Sequence, residues 1–206
     1  MSSASLHVVI LAAGGSSRFG SPKQLVRYEG RSLLQRSLHV ASEVAGPAVS
    51  VVLGAHAADI IATLPTSGLT LIVNRDWAEG IASSIRSGIS RLPGACDGAL
   101  LLLADQPLVQ PEGLSRLAAR WRREPRAIVA SRYGHATVNE VTGVPAVFPR
   151  WCFPDLLGLR GDQGARALFH RYAEQVRRIE LPEAAVDIDR PEDLLELQGP
   201  AGGGGT

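Results

Sequence analysis

Three things are scarce in this 206-residue chain: aromatic side chains (5%), cysteine (two) and net charge (+1, from 21 Lys and Arg against 20 Asp and Glu). Few aromatics leave little from which to build a stacking platform for single-stranded nucleic acid. The balanced charge withholds the basic excess that duplex-binding chains set against phosphate backbones. No nucleic-acid partner is expected. Cys96 and Cys152 cannot form a disulfide framework and match no zinc spacing, so both read as small buried hydrophobes. Long apolar runs are missing too: the runs at His7–Ala12 and Ala99–Ala104 fall far short of the roughly 20 residues of a membrane span. The first residues carry no basic leader. A cytoplasmic protein without membrane contact is expected and, with no exposed apolar stripe, a monomer. The five histidines do not cluster and Gly-x-Ser-x-Gly is absent, which disfavours a hydrolase built on a nucleophile–histidine pair.

What is present is a core. Hydrophobic residues make up 45% of the chain, which excludes global disorder, and mean hydropathy is +0.08. Short apolar runs alternate with amphipathic helical patterns. His7–Ala12, Ala48–Leu53, Leu69–Asn74, Gly98–Ala104, Ala127–Ser131, Pro145–Phe148 and Val176–Leu181 read as strands. Helices are expected after Ser32 as far as Gly46-Pro47, over Ala57–Leu64, around Ile81, Ile85 and Ile89, and from Pro111 through Trp121. Three more are expected over Trp151–Leu157, Gln163–Ala173 and Glu192–Leu197. Residues 132–142, a long polar stretch, read as a loop over the pocket. The Gly-rich tail, 199–206, is expected to be disordered, which leaves one domain over 1–198. This alternation predicts a three-layer α/β fold with a mostly parallel sheet.

Ligands of such sheets bind beyond the carboxyl ends of the strands, so the residues following each apolar run carry the chemistry. After the first run comes AAGGSSRFGSPK, residues 12–23. Gly14, Gly15 and Gly20 allow close backbone approach to an anion, Ser16 and Ser17 add donors, and Arg18 and Lys23 supply charge. The glycine spacing fits neither GxGxxG nor GxxxxGK[ST]. Read alone, the segment is either a phosphate-binding loop or a polar surface turn. After the most hydrophobic run comes Asp105, a carboxylate that is costly there unless something binds it. It suits Mg²⁺, which takes one or two carboxylates together with substrate phosphates, or it caps the helix near Pro111. In Asp187-Ile188-Asp189, alternation puts both carboxylates on one side. Asp187 is assigned to the metal and Asp189 to capping the last helix.

At these residues a resemblance emerges. LAAGGSSRFGSPKQL is similar to the signature LAAGxSxRMGxxK, with Phe19 where Met is usual. NRDWAEGIASSIRSGI (74–89), LADQPLV (103–109), GVPAVFP (143–149), LRGDQGAR (159–166) and DIDRPEDL (187–194) follow in matching order. Over nearly its whole length the chain resembles the molybdenum cofactor cytidylyltransferase (MocA-like) family of the MobA-like NTP-transferase superfamily. Its guanylyl branch usually reads LAGG where this chain has Ala12-Ala13-Gly14. The resemblance implies a Rossmann-like nucleotidyltransferase fold and transfer of CMP from CTP to molybdopterin, giving molybdopterin cytosine dinucleotide and pyrophosphate. By position it implies that Ala12, Ala13, Gly14, Gly15, Ser16, Asn74, Gly80, Ser83 and Ser84 meet the nucleotide. Arg18 and Lys23 would hold the triphosphate, Asp105 and Asp187 the Mg²⁺, and Gly161, Asp162, Gly164 and Arg166 the pterin. Asp162 also fits the N-cap of a helix over 163–173. A recipient molybdoenzyme or its chaperone is the implied transient partner.

Three alternatives remain beside it. One is a related nucleotidyltransferase, using GTP on the same cofactor or CTP on a sugar or alditol phosphate. The second is a dinucleotide-dependent oxidoreductase, against which stand the glycine spacing and the missing acid in Gly54-Ala55-His56. The third is a non-catalytic pterin carrier, which would not need Lys23, Asp105 and Asp187 together.

Overall fold

Runs of branched residues and leucine with no polar interruption form strands covered on both faces. A computed structural model describes residues 4–16, 19–64, 68–134 and 140–198. The first run is β1 (Leu6–Ala12), buried at every position. A hairpin that the sequence pattern did not announce follows: β2 (Arg27–Tyr28) and β3 (Arg31–Ser32). Its turn uses Glu29 and Gly30, both with positive φ, in place of the Asn-Gly or Asp-Gly that would signal it. α1 (Leu33–Ala45) opens on a capping box: Ser32 Oγ accepts from the Gln35 N–H (3.2 Å) and Gln35 Oε1 from the Ser32 N–H (3.0 Å). It ends, as expected, at Gly46.

The elements then alternate: β4 (Val49–Leu53), α2 (Ala57–Ile61), β5 (Thr70–Val73), α3 (Ile81–Ile89), β6 (Gly98–Leu103), α4 (Pro111–Arg123) and β7 (Ile128–Tyr133). β8 (Val141–Pro149), α5 (Phe153–Gly158), α6 (Arg166–Arg171), β9 (Val176–Glu180) and α7 (Pro191–Gln198) complete the order. Two expectations are corrected. β7 and β8 run on to pair Arg132 with Thr142 and Tyr133 with Val141, so the two ends of the expected loop are a ladder; residues 135–139 lie outside the described residues. The helix expected over Gln163–Ala173 is only α6: the chain turns through Arg160–Gln163, with Gly161 at φ 58°, and Ala173–Gln175 forms a separate single turn. The tail expected to be disordered, 199–206, also lies outside the described residues.

Seven strands form one sheet in the order β5-β4-β1-β6-β8-β7-β9, with β8 alone antiparallel to its neighbours. Alternation along β1 sends Val8, Ile10 and Ala12 to one face, where Leu34 and Leu38 of α1 and Leu114 and Trp121 of α4 cover them. Val9 and Leu11 go to the other, under Ile85 of α3, Leu156 of α5 and Phe169 of α6. This is a three-layer α/β, Rossmann-like fold with a mixed, mostly parallel sheet between two helical layers. Both cysteines are buried, and burial holds both thiols above their ordinary values. Among the described residues no helix is long and apolar enough to cross a membrane.

Close packing makes one glycine of the central sheet irreplaceable. A Cβ on Gly98 would lie 2.5 Å from Cζ2 of Trp121, which is wholly buried. Gly98→Ala is expected to lower unfolding stability by about 1–3 kcal/mol, as overpacking does, measured by urea titration.

Candidate active site

Parallel strands bring the carboxyl ends of β5, β4, β1 and β6 to one edge, and there a cleft of about 330 Å³ opens. Ala12, Ala13, Gly14 and Gly15 line it from the turn after β1, and Lys23, Gly80, Ser84, Asp105 and Asp162 from other segments.

Its charged pole lies on the β6 side. Asp105 lies just beyond β6, a strand buried at all but its last residue, and Lys23 Nζ lies 2.6 Å from its Oδ2. Both side chains are mostly buried, with 16% and 19% of their surface exposed. Burial opposes the lysine's charge, but the carboxylates of Asp105 and Asp189 outweigh it and hold the ammonium above its ordinary value. The segment 187–189 arrives by a backbone bond from Ile188 N–H to Asp105 O (2.9 Å), with the Ile188 side chain fully buried beside Tyr28 and Leu33.

Asp189 corrects an expectation. It does not cap the last helix: Asp193 Oδ2 accepts from the N–H groups of Asp189 (2.7 Å) and Arg190 (2.8 Å). The Asp189 carboxylate turns instead to Lys23, at 2.9 Å. Asp187 is close enough to Asp105 for the two to repel. Crowding by the chain lifts its carboxyl to about 6, and repulsion from Asp105 and Asp189 adds to the rise. The residue is nonetheless exposed, so the mutual repulsion is the firmer cause.

The turn after β1 is held from below. Gln24 Nε2 donates to Ala12 O (2.8 Å) and Gly14 O (3.0 Å), while Ser16, at φ 51°, accepts the Lys23 N–H on its Oγ (3.0 Å). Ser16 is thus occupied inside the loop. Gln24, buried and unsuspected from the sequence, shapes the turn; only its place one residue after Lys23 could have marked it. Ser17 and Arg18 lie outside the described residues.

On the opposite wall, Asn74 and Ser83 are structural in their contacts. Asn74 Nδ2 lies 2.8 Å from Ser83 Oγ and 3.1 Å from Ser84 Oγ, and its Oδ1 accepts the Asp76 N–H (3.0 Å). Of the three side chains in that brace, Ser84 reaches the cleft. Gly80 has φ 117° and touches the loop at 161–162, where Ala82 N–H donates to Gly161 O (3.1 Å). Arg86 ties the same loop down, pairing with Glu79 (2.8 Å) and donating to Leu159 O (2.8 Å).

The residues expected to meet the pterin divide. Gly161 and Asp162 stand at the cleft, and Gly164 lies behind them near Ile81. Arg166 lines a separate hollow with Thr142, His170 and Arg178. Burial raises the Tyr133 hydroxyl above its ordinary value, Asp187 adds to the rise and Arg166 opposes it. Asp162 does not cap α6, whose N-cap is Ala165 without a side-chain bond.

One oxygen of the charged pole is left over. Asp105 Oδ1 is buried and has no hydrogen-bond partner among the described residues. No group of three or more His, Cys, Asp or Glu side chains among those residues is arranged to hold a metal. The donor set fits a hard cation that takes one or two carboxylates and completes its shell with phosphate oxygens.

A family model described as the MobA-like NTP transferase domain matches residues 8–176. The chain is 29% identical over 195 residues to nicotine blue oxidoreductase of Paenarthrobacter nicotinovorans, covering 92% of this chain and 94% of that one. It is 26% identical to a probable molybdenum cofactor guanylyltransferase of Nostoc, covering 94% and 91%. The bifunctional protein GlmU of Azorhizobium caulinodans is 35% identical over 125 residues, and the match spans 27% of its length. Among solved structures, Rv0371c of Mycobacterium tuberculosis superposes with a TM-score of 0.82 at 32% identity, covering 95% of this chain and all of that one. A complex of Rv0371c with manganese superposes at 0.76 with 30% identity over 93% of this chain.

Two outcomes check this geometry. A Cβ on Gly80 would strike Gly161 O at 2.5 Å and crowd Asp162, so Gly80→Ala should cost about 1–3 kcal/mol in a urea titration. The Arg86 guanidinium, with the Gly161 N–H, holds the Glu79 carboxyl at about 2. A depressed carboxylate stabilises the fold above its ordinary value of 4.5, and that contribution is lost as pH falls to about 2. Glu79→Gln should flatten this part of the acid dependence in thermal melts.

Proposed function

The chain belongs to the MobA-like NTP transferase family as a nucleotidyltransferase, and from that premise we propose that it transfers a nucleoside monophosphate to the terminal phosphate of a molybdopterin-type cofactor. The observation that carries this reading is the Lys23–Asp105 pair beside a glycine turn, with a buried carboxylate oxygen left unpaired. Guanylyl transfer, with GTP as donor, is favoured by a full-length relative named for that reaction. Cytidylyl transfer from CTP is the second reading. It is supported by Ala13, where guanylyl members usually carry glycine. Sugar-phosphate acceptors, suggested by the partial match to GlmU, form the third. Hydride transfer, which the oxidoreductase relative's name raises, is disfavoured by Gly54-Ala55-His56 after β4, where a dinucleotide site places an acid.

In this mechanism an oxygen of the acceptor phosphate forms a bond to the α-phosphorus of the NTP, and the bond to the bridging oxygen of pyrophosphate breaks. The nucleophile is already anionic, so no general base is required. Lys23 leaves its partners at the pole and neutralises charge growing on the pyrophosphate, and Arg18 orients the triphosphate. The N–H groups of the Gly14-Gly15 turn face the nucleotide. Asp105 Oδ1, with Asp187, would hold Mg²⁺, which polarises phosphoryl oxygens when bound. The manganese complex of Rv0371c supports a divalent cation in this fold. Asp162 and Gly161 would border the acceptor, with Arg166 and Tyr133 toward its far end.

Pyrophosphate release tests this directly, with GTP, CTP and UTP each supplied with Mg²⁺ and either molybdopterin or a sugar 1-phosphate. Release with molybdopterin is expected, highest with GTP, and reduced roughly 10²–10³-fold in Asp105→Ala, the scale of losing one electrostatic contact to the transition state. Preference for CTP would move the protein to the cytidylyl reading, and release only with the sugar phosphate to the third. No release under any condition would overturn nucleotidyl transfer.

A further inference from the structure

The cleft has a second pole that the charged residues do not explain. In the sheet, β4 and β5 lie on one side of β1 and β6 on the other, so the glycine turn after β1 stands between two unlike walls. On the β6 side are Lys23 and Asp105. On the β4–β5 side is Trp77, the first residue of a single helical turn, Trp77–Glu79, with 39% of its surface exposed. The other two tryptophans are used up by the fold: the buried Trp121 donates to Pro125 O (3.2 Å), and Trp151 donates to Arg126 O (3.0 Å) and packs edge-on against Tyr172. The Trp77 indole N–H has no hydrogen-bond partner among the described residues, and the ring lines the cleft.

This ring is seated rather than left loose. A Cβ on Gly54 would approach Trp77 Cβ to 2.5 Å and Ala13 O to 2.6 Å, and one on Gly15 would come within 3.0 Å of Trp77 Cζ3. Two glycines therefore give up their side-chain space to the indole. The segment leading into Trp77 is anchored in turn: Asn74 N–H donates to Leu53 O (2.7 Å), and Asp76 N–H to Asn74 Oδ1 (3.0 Å). A fixed, partly exposed aromatic face opposite the pole where Lys23 meets Asp105 matches a ligand with an aromatic ring at one end and, at the other, phosphates that Lys23 and a carboxylate-held divalent cation would take.

We propose that Trp77 is the stacking platform for the nucleobase, so that the nucleotide lies across the glycine turn with its base toward β4–β5 and its triphosphate toward β6. This rests on the nucleotide reading above and deepens it. Stacking accepts any base because every base has a π face. Trp77 then supplies affinity for the nucleoside end, and the choice among bases is made elsewhere.

The test titrates GTP, CTP and inorganic tripolyphosphate, each with Mg²⁺, into wild type, Trp77→Phe and Trp77→Ala, by calorimetry and tryptophan fluorescence. In wild type the nucleotides should quench fluorescence and tripolyphosphate should not. Trp77→Ala should lose that quenching and bind both nucleotides roughly 10- to 100-fold more weakly, with tripolyphosphate affinity and the GTP:CTP ratio kept within about twofold. Trp77→Phe should retain most nucleotide affinity, which guards against an alanine variant that misfolds. Unchanged nucleotide binding in Trp77→Ala, with quenching lost or kept, would overturn the proposal, as would equal weakening of nucleotide and tripolyphosphate in a variant with wild-type melting. Either result would leave the nucleotide reading standing. Absence of all binding to wild type would overturn both.

Discussion

The site depends on a carboxylate placed where carboxylates are expensive. Asp105 stands two residues beyond the end of β6, the most hydrophobic strand, and its charge is tolerated because Lys23 meets it at 2.6 Å. That requirement draws distant parts of the chain together. Lys23 comes from a short helical turn that also carries Gln24, the prop of the glycine turn. The segment 187–189 comes from near the other end of the described chain, pinned by the Ile188 N–H to the Asp105 carbonyl. Removing the charge at Asp105 would leave Lys23, Asp187 and Asp189 without their common point of reference.

Sheet topology explains why a cleft exists there. Four parallel strands end along one edge, and β1 has helices α1 and α3 on opposite faces, so the chain must cross over the strand ends and leave a crevice between loops. Rigid close approaches sharpen it. Gly54 and Gly15 admit the Trp77 ring, and Gly80 admits the loop at 161–162. Asn74, Ser83 and Ser84 satisfy one another's polar groups, so this side is braced internally and shows the cleft backbone, the Trp77 ring, Ser84 and the Asp162 carboxylate. The two walls thereby differ: the Lys23–Asp105 pair stands on one and the aromatic ring on the other.

Much of this was legible in the chain itself. Uninterrupted runs such as Val8–Leu11 and Leu100–Leu103 could only be strands with both faces covered, and Ser32 with Gln35 announced the start of α1. The place of the glycine turn and of Asp105 followed from the rule that strand ends carry the chemistry. Less was legible at short elements, where signals are weak. The β2–β3 hairpin turns on Glu29-Gly30, and the polar side chains of Arg132 and Thr142 hid the backbone pairing that joins 132–133 to 141–142. Asn74 and Ser83 looked available for a ligand because composition does not reveal which neighbours consume a polar group.

The division has a physical cause. Local periodicity, caps and turn residues act within a few positions, so the order of elements, the α/β class and the identity of Lys23 and Asp105 as charged residues at strand ends were settled by the sequence alone. Pairings across long stretches of chain depend on how the sheet is ordered in space. Tertiary structure alone decided that Asp189 and not only Asp105 would hold Lys23, and that Arg166 would face a separate hollow. It alone set Trp77 over Gly15 and Gly54, because contact between those residues exists only once β1, β4 and β5 lie side by side.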